Sequence, residues 1–281
     1  MAKTTFRYLS HCCVDIQKTR RFYEELLGFE FDSARDSNHE ATAKLLRMSW
    51  PFVVNLVFLK RDDFMIELQD FPLHGTVAPR EWVSNEPGLV FVSLAVKDMA
   101  SLLPQVPEYG GEILEDTRVS QAVCIKDPDG QVLELVAARE EIPDATRFRH
   151  LAHCVADRNR AREFYEGLLG FTFKSARDSS RDVTAKLLRM SQPMELELIF
   201  LDNAGFELEL MEYPLHGTTP ARDRPTNQPG IGFMHLDVAD LPDVLARAPD
   251  FGGQVVDETN VGSAAMVRDP DGQLIELVVA R

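Results

Sequence analysis

The chain has 281 residues, 44% of them apolar, and a formal net charge of −15. That length and apolar content support about two domains with sizeable cores. The dispersed acidic charge argues against nucleic acid or an anionic membrane as partner. No run of about 18 apolar residues argues for a membrane-spanning helix, and MAKTTFRYLSHCC lacks the apolar core and cleavage site of a secretory signal.

Residues 5–139 align with 147–281 at a constant offset and without insertion, close to half the positions being identical. The longest shared runs are SARDS (33–37, 175–179), TAKLLRMS (42–49, 184–191), PLHGT (72–76, 214–218) and DPDGQ (127–131, 269–273). Two similar domains are therefore expected at 1–139 and 148–281. The charged, proline-containing segment 140–147 is the expected linker. Cys12, Cys13, Cys124 and Cys154 have no C-x-x-C spacing. They read as small core residues in a reducing, cytoplasmic setting.

In chain order, FRYLSHCCV predicts a strand. The next segment predicts a helix carrying Phe22, Leu26 and Leu27 on one face and stopping at Gly28. FEFDSAR predicts a strand, KLLRM through VVNLVFL a hairpin pair, and FMIELQD a further strand. LVFVSLAV predicts the strand of a second unit, DMASLLPQVPEYGG a helix, and EILEDTRV, AVCIKD and QVLELVAA three more strands, the last entered through Pro-Asp-Gly. The order βαβββ thus occurs four times, twice per copy.

Two-residue alternation sets Phe64, Ile66 and Leu68 against Met65 and Glu67, and Leu133 and Leu135 against Glu134. A curved sheet with helices behind its leucine face would turn those glutamates into a cup. There they would need pairing, protonation or a metal. Against this background of near-identity, His11, Glu67 and Glu134 recur as His153, Glu209 and Glu276, whereas Ser93 is answered by His235.

The segments HCVADRNRAREFYEGLLGF (153–171), GFMHLDVADL (232–241) and DPDGQLIEL (269–277) resemble the vicinal oxygen chelate superfamily, which includes glyoxalase I, bleomycin-resistance proteins and extradiol dioxygenases. The resemblance spans nearly the whole chain. It implies an α+β fold in which four βαβββ modules form two glyoxalase-like cups. It places metal ligands at His11 or His153, Glu67 or Glu209, His235, and Glu134 or Glu276, with Ser93 the departure.

If modules pair within a copy, the complete site is His153, Glu209, His235 and Glu276. If the outer modules pair across copies, it is His11, Glu67, His235 and Glu276. Glu195, Glu197 and Glu207 fall in phase with Glu209, where copy one has Val53, Asn55 and Met65. That favours the less acidic cross-paired cup for a small-molecule site.

The set suits one divalent transition metal, Ni²⁺, Co²⁺, Fe²⁺, Mn²⁺ or Zn²⁺. The resemblance implies a metal-dependent lyase or isomerase working on a small carbonyl-containing substrate through an enediolate. Glu276 is the expected general base, and Glu67 or Glu209 the second proton carrier. An Fe(II) ring-cleaving dioxygenase of catechols or hydroquinones is one alternative, although NVGSAAMVRDPDGQLIE lacks the His and Tyr of the common extradiol type. A non-enzymatic drug- or metabolite-binding protein is the other.

His74 and His216 of PLHGT are candidate substrate contacts, set against a plain turn between units. Lys44, Arg47, Lys186 and Arg189 are expected on strands, as surface charge or anion contacts. The chain is expected to act as a monomer or homodimer.

Overall fold

A computed structural model describes residues 4–222 and 224–280. The first module runs β1 (Thr4–Cys12), α1 (Ile16–Arg21), β2 (Glu30–Ser37), α2 (Glu40–Leu45), β3 (Val54–Arg61) and β4 (Phe64–Asp70). The second runs β5 (Gly88–Val96), α3 (Met99–Leu102), β6 (Glu112–Leu114), β7 (Ala122–Lys126) and β8 (Val132–Ala137). The third repeats the first as β9 (Thr146–Cys154), α4 (Arg158–Glu163), β10 (Thr172–Ser179), α5 (Asp182–Leu187), β11 (Leu196–Asn203) and β12 (Phe206–Glu212). The fourth is β13 (Gly230–Val238), α6 (Leu241–Arg247), β14 (Gln254–Val256), β15 (Ala264–Arg268) and β16 (Leu274–Val279).

Asp15 and Asp157 cap α1 and α4, each accepting two backbone N–H bonds at the helix entrance. Each helix then continues as a π-helical turn, Phe22–Leu26 or Phe164–Leu168. In the first module a glycine at positive φ, Gly28 (φ 76°), ends the run.

KLLRM is not a strand. The Ala, Lys and Leu of ATAKLL are strong helix formers and build α2, while β2 pairs directly with β3. Lys44 and Lys186 therefore sit on short helices. Arg47 and Arg189 follow them at positive φ, 57° and 52°.

Each sheet has eight strands drawn from both copies, in the orders β14-β15-β16-β13-β1-β4-β3-β2 and β10-β11-β12-β9-β5-β8-β7-β6. The outer modules share one sheet and the inner modules the other. A continuous core lies on the leucine faces, where Leu9, Ile66, Leu68, Leu94, Leu133 and Leu135 meet Phe22 and Phe164 from the helical segments. Phe6 stacks on Phe206 (3.6 Å) and Phe64 on Phe148 (4.2 Å), joining the copies. All four cysteines are free and buried, and among the described residues no helix is long and apolar enough to cross a membrane.

The leucine face also carries His11 and His153, away from the cups. In the parallel pairing of β1 with β4, Ser10 lies beside Glu67 and His11 beside Leu68. Side chains alternate along a strand, so His11 shares the leucine face and Glu67 faces the other way. His11 Nε2 is 3.0 Å from Asp129 Oδ2 and 3.4 Å from Asp127 Oδ2. Asp129 also accepts from the Thr19 hydroxyl (2.6 Å) and the Val14 N–H (2.7 Å). Burial opposes a charged imidazole, but Asp127 and Asp129 together raise the pKa of His11 above its ordinary value.

In the second copy His153 Nε2 lies 3.2 Å from Asp269 Oδ2, and Tyr165 Oη lies 3.2 Å from its Nδ1. Here burial holds the histidine down to about 4 and lifts Asp269 to about 6. The repeated DPDGQ run is thus architectural. Its aspartates meet the histidine of their own copy across the two sheets, and its glutamine reaches the other copy. Gln131 Oε1 accepts from the Ile231 N–H, and Gln273 Oε1 from the Leu89 N–H, each at 3.0 Å.

His11, Cys13 and Asp129 are the one trio among the described residues whose ligand atoms all lie within 4.8 Å, a spacing that could hold a metal ion. Both Asp129 oxygens accept protein hydrogen bonds, from the Val14 N–H and the Thr19 hydroxyl, so the trio ties the end of β1 and α1 to the DPDGQ turn. Asp129→Ala should cost about 1–3 kcal/mol by urea unfolding, because it removes the nearer of His11's two carboxylates and the acceptor of the Thr19 hydroxyl and Val14 N–H. It should leave the metal content per folded chain unchanged.

Candidate functional site

The concave face of each sheet forms a cup. In the outer cup the β1–β13 pairing sets Tyr8 directly opposite His235. The parallel β13–β16 pairing sets His235 beside Glu276, and β4 supplies Glu67. These four line one cavity of about 620 Å³, with Arg35 and Gln69. α2 of the first copy packs against β15 of the second at its margin.

Glu67, His235 and Glu276 thus come together as the cross-paired arrangement requires, but Tyr8 stands where His11 was expected. The inner cup is the image of this site. Ser93 lies opposite His150 and beside Glu134, and Glu209 completes the set. His153 is absent from it for the same reason of strand phase as His11.

The copies therefore exchange histidine twice, Tyr8 for His150 and Ser93 for His235, so that each cup keeps one buried histidine and two glutamates on its sheet, the outer one having the exposed His39 on its lining as well. The first exchange was legible. Leu9 and His11 share a parity, and the leucines of β4 are the face opposite Glu67.

In the outer cup His235 Nδ1 is 2.7 Å from Glu276 Oε2, and the Tyr8 ring centroid is 4.2 Å from that of His235. Gln69 Nε2 donates to Glu67 Oε2 (2.7 Å), while Arg35 Nη2 stands 3.9 Å from Glu67 Oε1. Arg7 turns aside to Asp237 (3.1 Å).

Burial first, then repulsion from Glu276, lifts Glu67 to about 7 despite Gln69, His235 and Arg35. Burial lowers the proton affinity of His235, but Glu276, Glu67 and Asp237 outweigh it and leave the pKa raised. Tyr8 is held well above its ordinary value by burial, Glu67 and Glu276, and so stays a neutral phenol. Asp36, Glu67, Asp237 and Glu276 face only Arg7 and Arg35 as permanent cations among the lining residues. That excess of negative charge, with mixed imidazole and carboxylate donors, fits a divalent transition metal.

The inner cup is charge-balanced. Arg149 Nη1 contacts Ser93 Oγ (2.6 Å) and Glu134 Oε2 (3.1 Å), Ser93 donates to Glu134, and His150 Nε2 is 3.2 Å from Glu209 Oε2. The expected acid excess is missing because β11 places Phe200, not Glu197, beside Glu209. Glu197 instead pairs with Arg158 and Glu207 with Lys174. His74 and His216 line neither cup. Each sits in the PLHGT turn with its Nε2 about one hydrogen bond from Ser49 (3.2 Å) or Ser191 (3.1 Å).

No curated protein matches this chain. Among solved structures it is similar to glyoxalase I from Zea mays, at 18% identity and a TM-score of 0.67, covering 99% of this chain and 93% of that one. It is also similar to a candidate dioxygenase from Bacillus subtilis, at 13% identity and a TM-score of 0.59, covering 99% and 86%. At these identities the likeness speaks to fold. The model of the Glyoxalase/Bleomycin resistance protein/Dioxygenase superfamily matches residues 6–135 and again 147–277. The chain accordingly belongs to that superfamily, as a member with two copies of the domain.

Proposed function

We propose that the outer cup holds one divalent transition metal (Ni²⁺, Co²⁺, Fe²⁺, Mn²⁺ or Zn²⁺) on His235, Glu67 and Glu276. We further propose that the protein is a lyase or isomerase of the glyoxalase type, acting on a small carbonyl-containing molecule. The observation carrying this reading is a pair of buried carboxylates, Glu67 and Glu276, facing one open cavity beside one buried histidine, His235, with the exposed His39 also on its lining. When bound, such an ion supplies Lewis acidity to a carbonyl oxygen.

The chain's own residues supply the rest. Glu67 has a proton affinity near neutrality, as a group that takes a proton from carbon and returns it should. Gln69 holds one of its oxygens, so the other can face the substrate. Glu276 is oriented by His235 and is the second proton carrier. Leu45, Leu46 and Leu56 make the apolar wall of the cavity, and Arg35 at its rim suits an anionic group on the substrate.

A second reading is an Fe(II) ring-cleaving dioxygenase. The cup offers three protein donors, the number in a facial triad, but as one histidine and two carboxylates in place of two histidines and one carboxylate. Oxygen consumption on catechols or hydroquinones with Fe²⁺, and none on carbonyl substrates, would select it. Oxygen-independent turnover with Ni²⁺ or Co²⁺ would dismiss it.

Three outcomes are expected. Protein purified without chelators should carry about one transition-metal equivalent per chain by mass spectrometry, lost in His235→Ala and retained in His11→Ala. Glu276→Gln and Glu67→Gln should each lower turnover by roughly 10²-fold or more, at the scale of a lost general base.

The third concerns pH. The folded-state pKa of Glu67, about 7, exceeds its unfolded value near 4.5. Its contribution to stability is therefore complete below the unfolded value and is lost as pH rises through the folded one. Glu67→Gln should stabilise the metal-free chain at neutral pH by on the order of 3 kcal/mol at most, and should flatten its pH profile of unfolding between these values. An unchanged profile would show that Glu67 is not the strained carboxylate.

A further inference from the structure

The inner cup keeps the positions of a ligand set yet meets their charge from within the chain. Its cavity, about 300 Å³, has Arg149, Arg177 and Arg181 to set against Glu134, Glu209 and Asp178. The Arg149 guanidinium bridges the Ser93 hydroxyl and the Glu134 carboxylate.

Two exchanges between the copies account for this. Arg181 stands where the outer cup has His39, and Arg7, the counterpart of Arg149, is held at the outer cup's wall by Asp237 and away from its glutamates. Ala95 stands at the position equivalent to Asp237, so nothing draws Arg149 off and it turns inward. Glu209 is engaged by His150, and Asp178 by Arg158 (3.0 Å). Arg177 lies flat over Phe200, 4.3 Å from the ring centroid, and among the described residues it pairs with no carboxylate. The remaining wall is mainly apolar, from Phe91, Leu187, Leu196 and Leu198, with the hydroxyls of Ser179 and Thr184 at its side.

We propose that the inner cup is a metal-free pocket for a small carboxylate-bearing molecule with an apolar body, Arg149 standing in for the divalent ion and Arg177 receiving the ligand's carboxylate. Its volume suits a ligand of this size, since a cavity of about 150 Å³ already admits benzene. A guanidinium presents a planar fork that matches a carboxylate in two parallel hydrogen bonds. The contrast in metal content between the cups rests on the reading of the outer cup given above.

The test uses the full chain and benzoate as probe. With a chelator present and ionic strength fixed, calorimetry and saturation-transfer NMR should find one benzoate per chain. Affinity should fall at least tenfold in Arg177→Gln and be unchanged in Arg21→Gln, an exposed arginine paired with Glu25 outside both cups. No benzoate binding, binding indifferent to Arg177→Gln, or binding lost equally in Arg21→Gln would each overturn the proposal.

A parallel titration with Co²⁺ alone should give the same stoichiometry in wild type and His150→Ala. A Co²⁺ equivalent that disappears in His150→Ala would overturn the metal-free assignment. Absence of Co²⁺ binding in the wild type, or one equivalent that survives both His235→Ala and His150→Ala, would instead sink the outer-cup reading while the benzoate result still decides the inner one.

Discussion

The leucine layer between the two sheets sets the phase of the central strands, and the chemistry of both cups follows from it. Leu9, Ile66, Leu68, Met234, Leu236, Ile275 and Leu277 belong to one buried core. A strand that slipped by one residue would exchange this layer for its cup-facing set. The same constraint that puts Leu9 in the core puts Tyr8 in the cup, opposite His235. It puts His11 at the rear, where its only acceptable partners are the buried aspartates of the DPDGQ turn. A histidine beside a metal-family motif is here part of the frame.

Sheet pairing and copy identity run crosswise. Strands pair between copies, outer module with outer and inner with inner, while His11 with Asp129 and His153 with Asp269 tie the two modules of each copy across the sheets. Each copy therefore contributes half of both cups. A cup can change its ligand set through either copy, and here the first copy carries both departures, Tyr8 in the outer cup and Ser93 in the inner, where the second has His150 and His235. The outer cup has Tyr8, and Glu67 there remains at a cost in proton affinity. In the inner cup Ser93 and Arg149 have relieved the same strain internally.

Much of this could be read from the residues. The constant-offset repeat and the alternation in FMIEL and QVLELV predicted four βαβββ modules, a helix-backed leucine face and glutamates in the cup, and all of these are present. Cross-copy pairing was left open, and the charge argument favouring it assumed a phase for Glu197 that the β11–β12 register does not have. KLLRM was misread because its β-like flanks outweighed the helix propensity of ATAKLL. His11 and His153 were misassigned because motif likeness was followed in place of the parity that Leu9 and Leu68 impose. Arg149 was beyond sequence reasoning, since its direction depends on whether residue 237 or residue 95 offers a carboxylate nearby.

The account stands on one histidine per metal. Pulsed EPR of the chain loaded with one Cu²⁺ equivalent would count the coordinated imidazoles directly. A single imidazole whose signal vanishes in His235→Ala, with no change in His11→Ala, is the expected result. Two imidazoles, or a signal that depends on His11, would contradict the placement of Tyr8 in the cup and of His11 behind it.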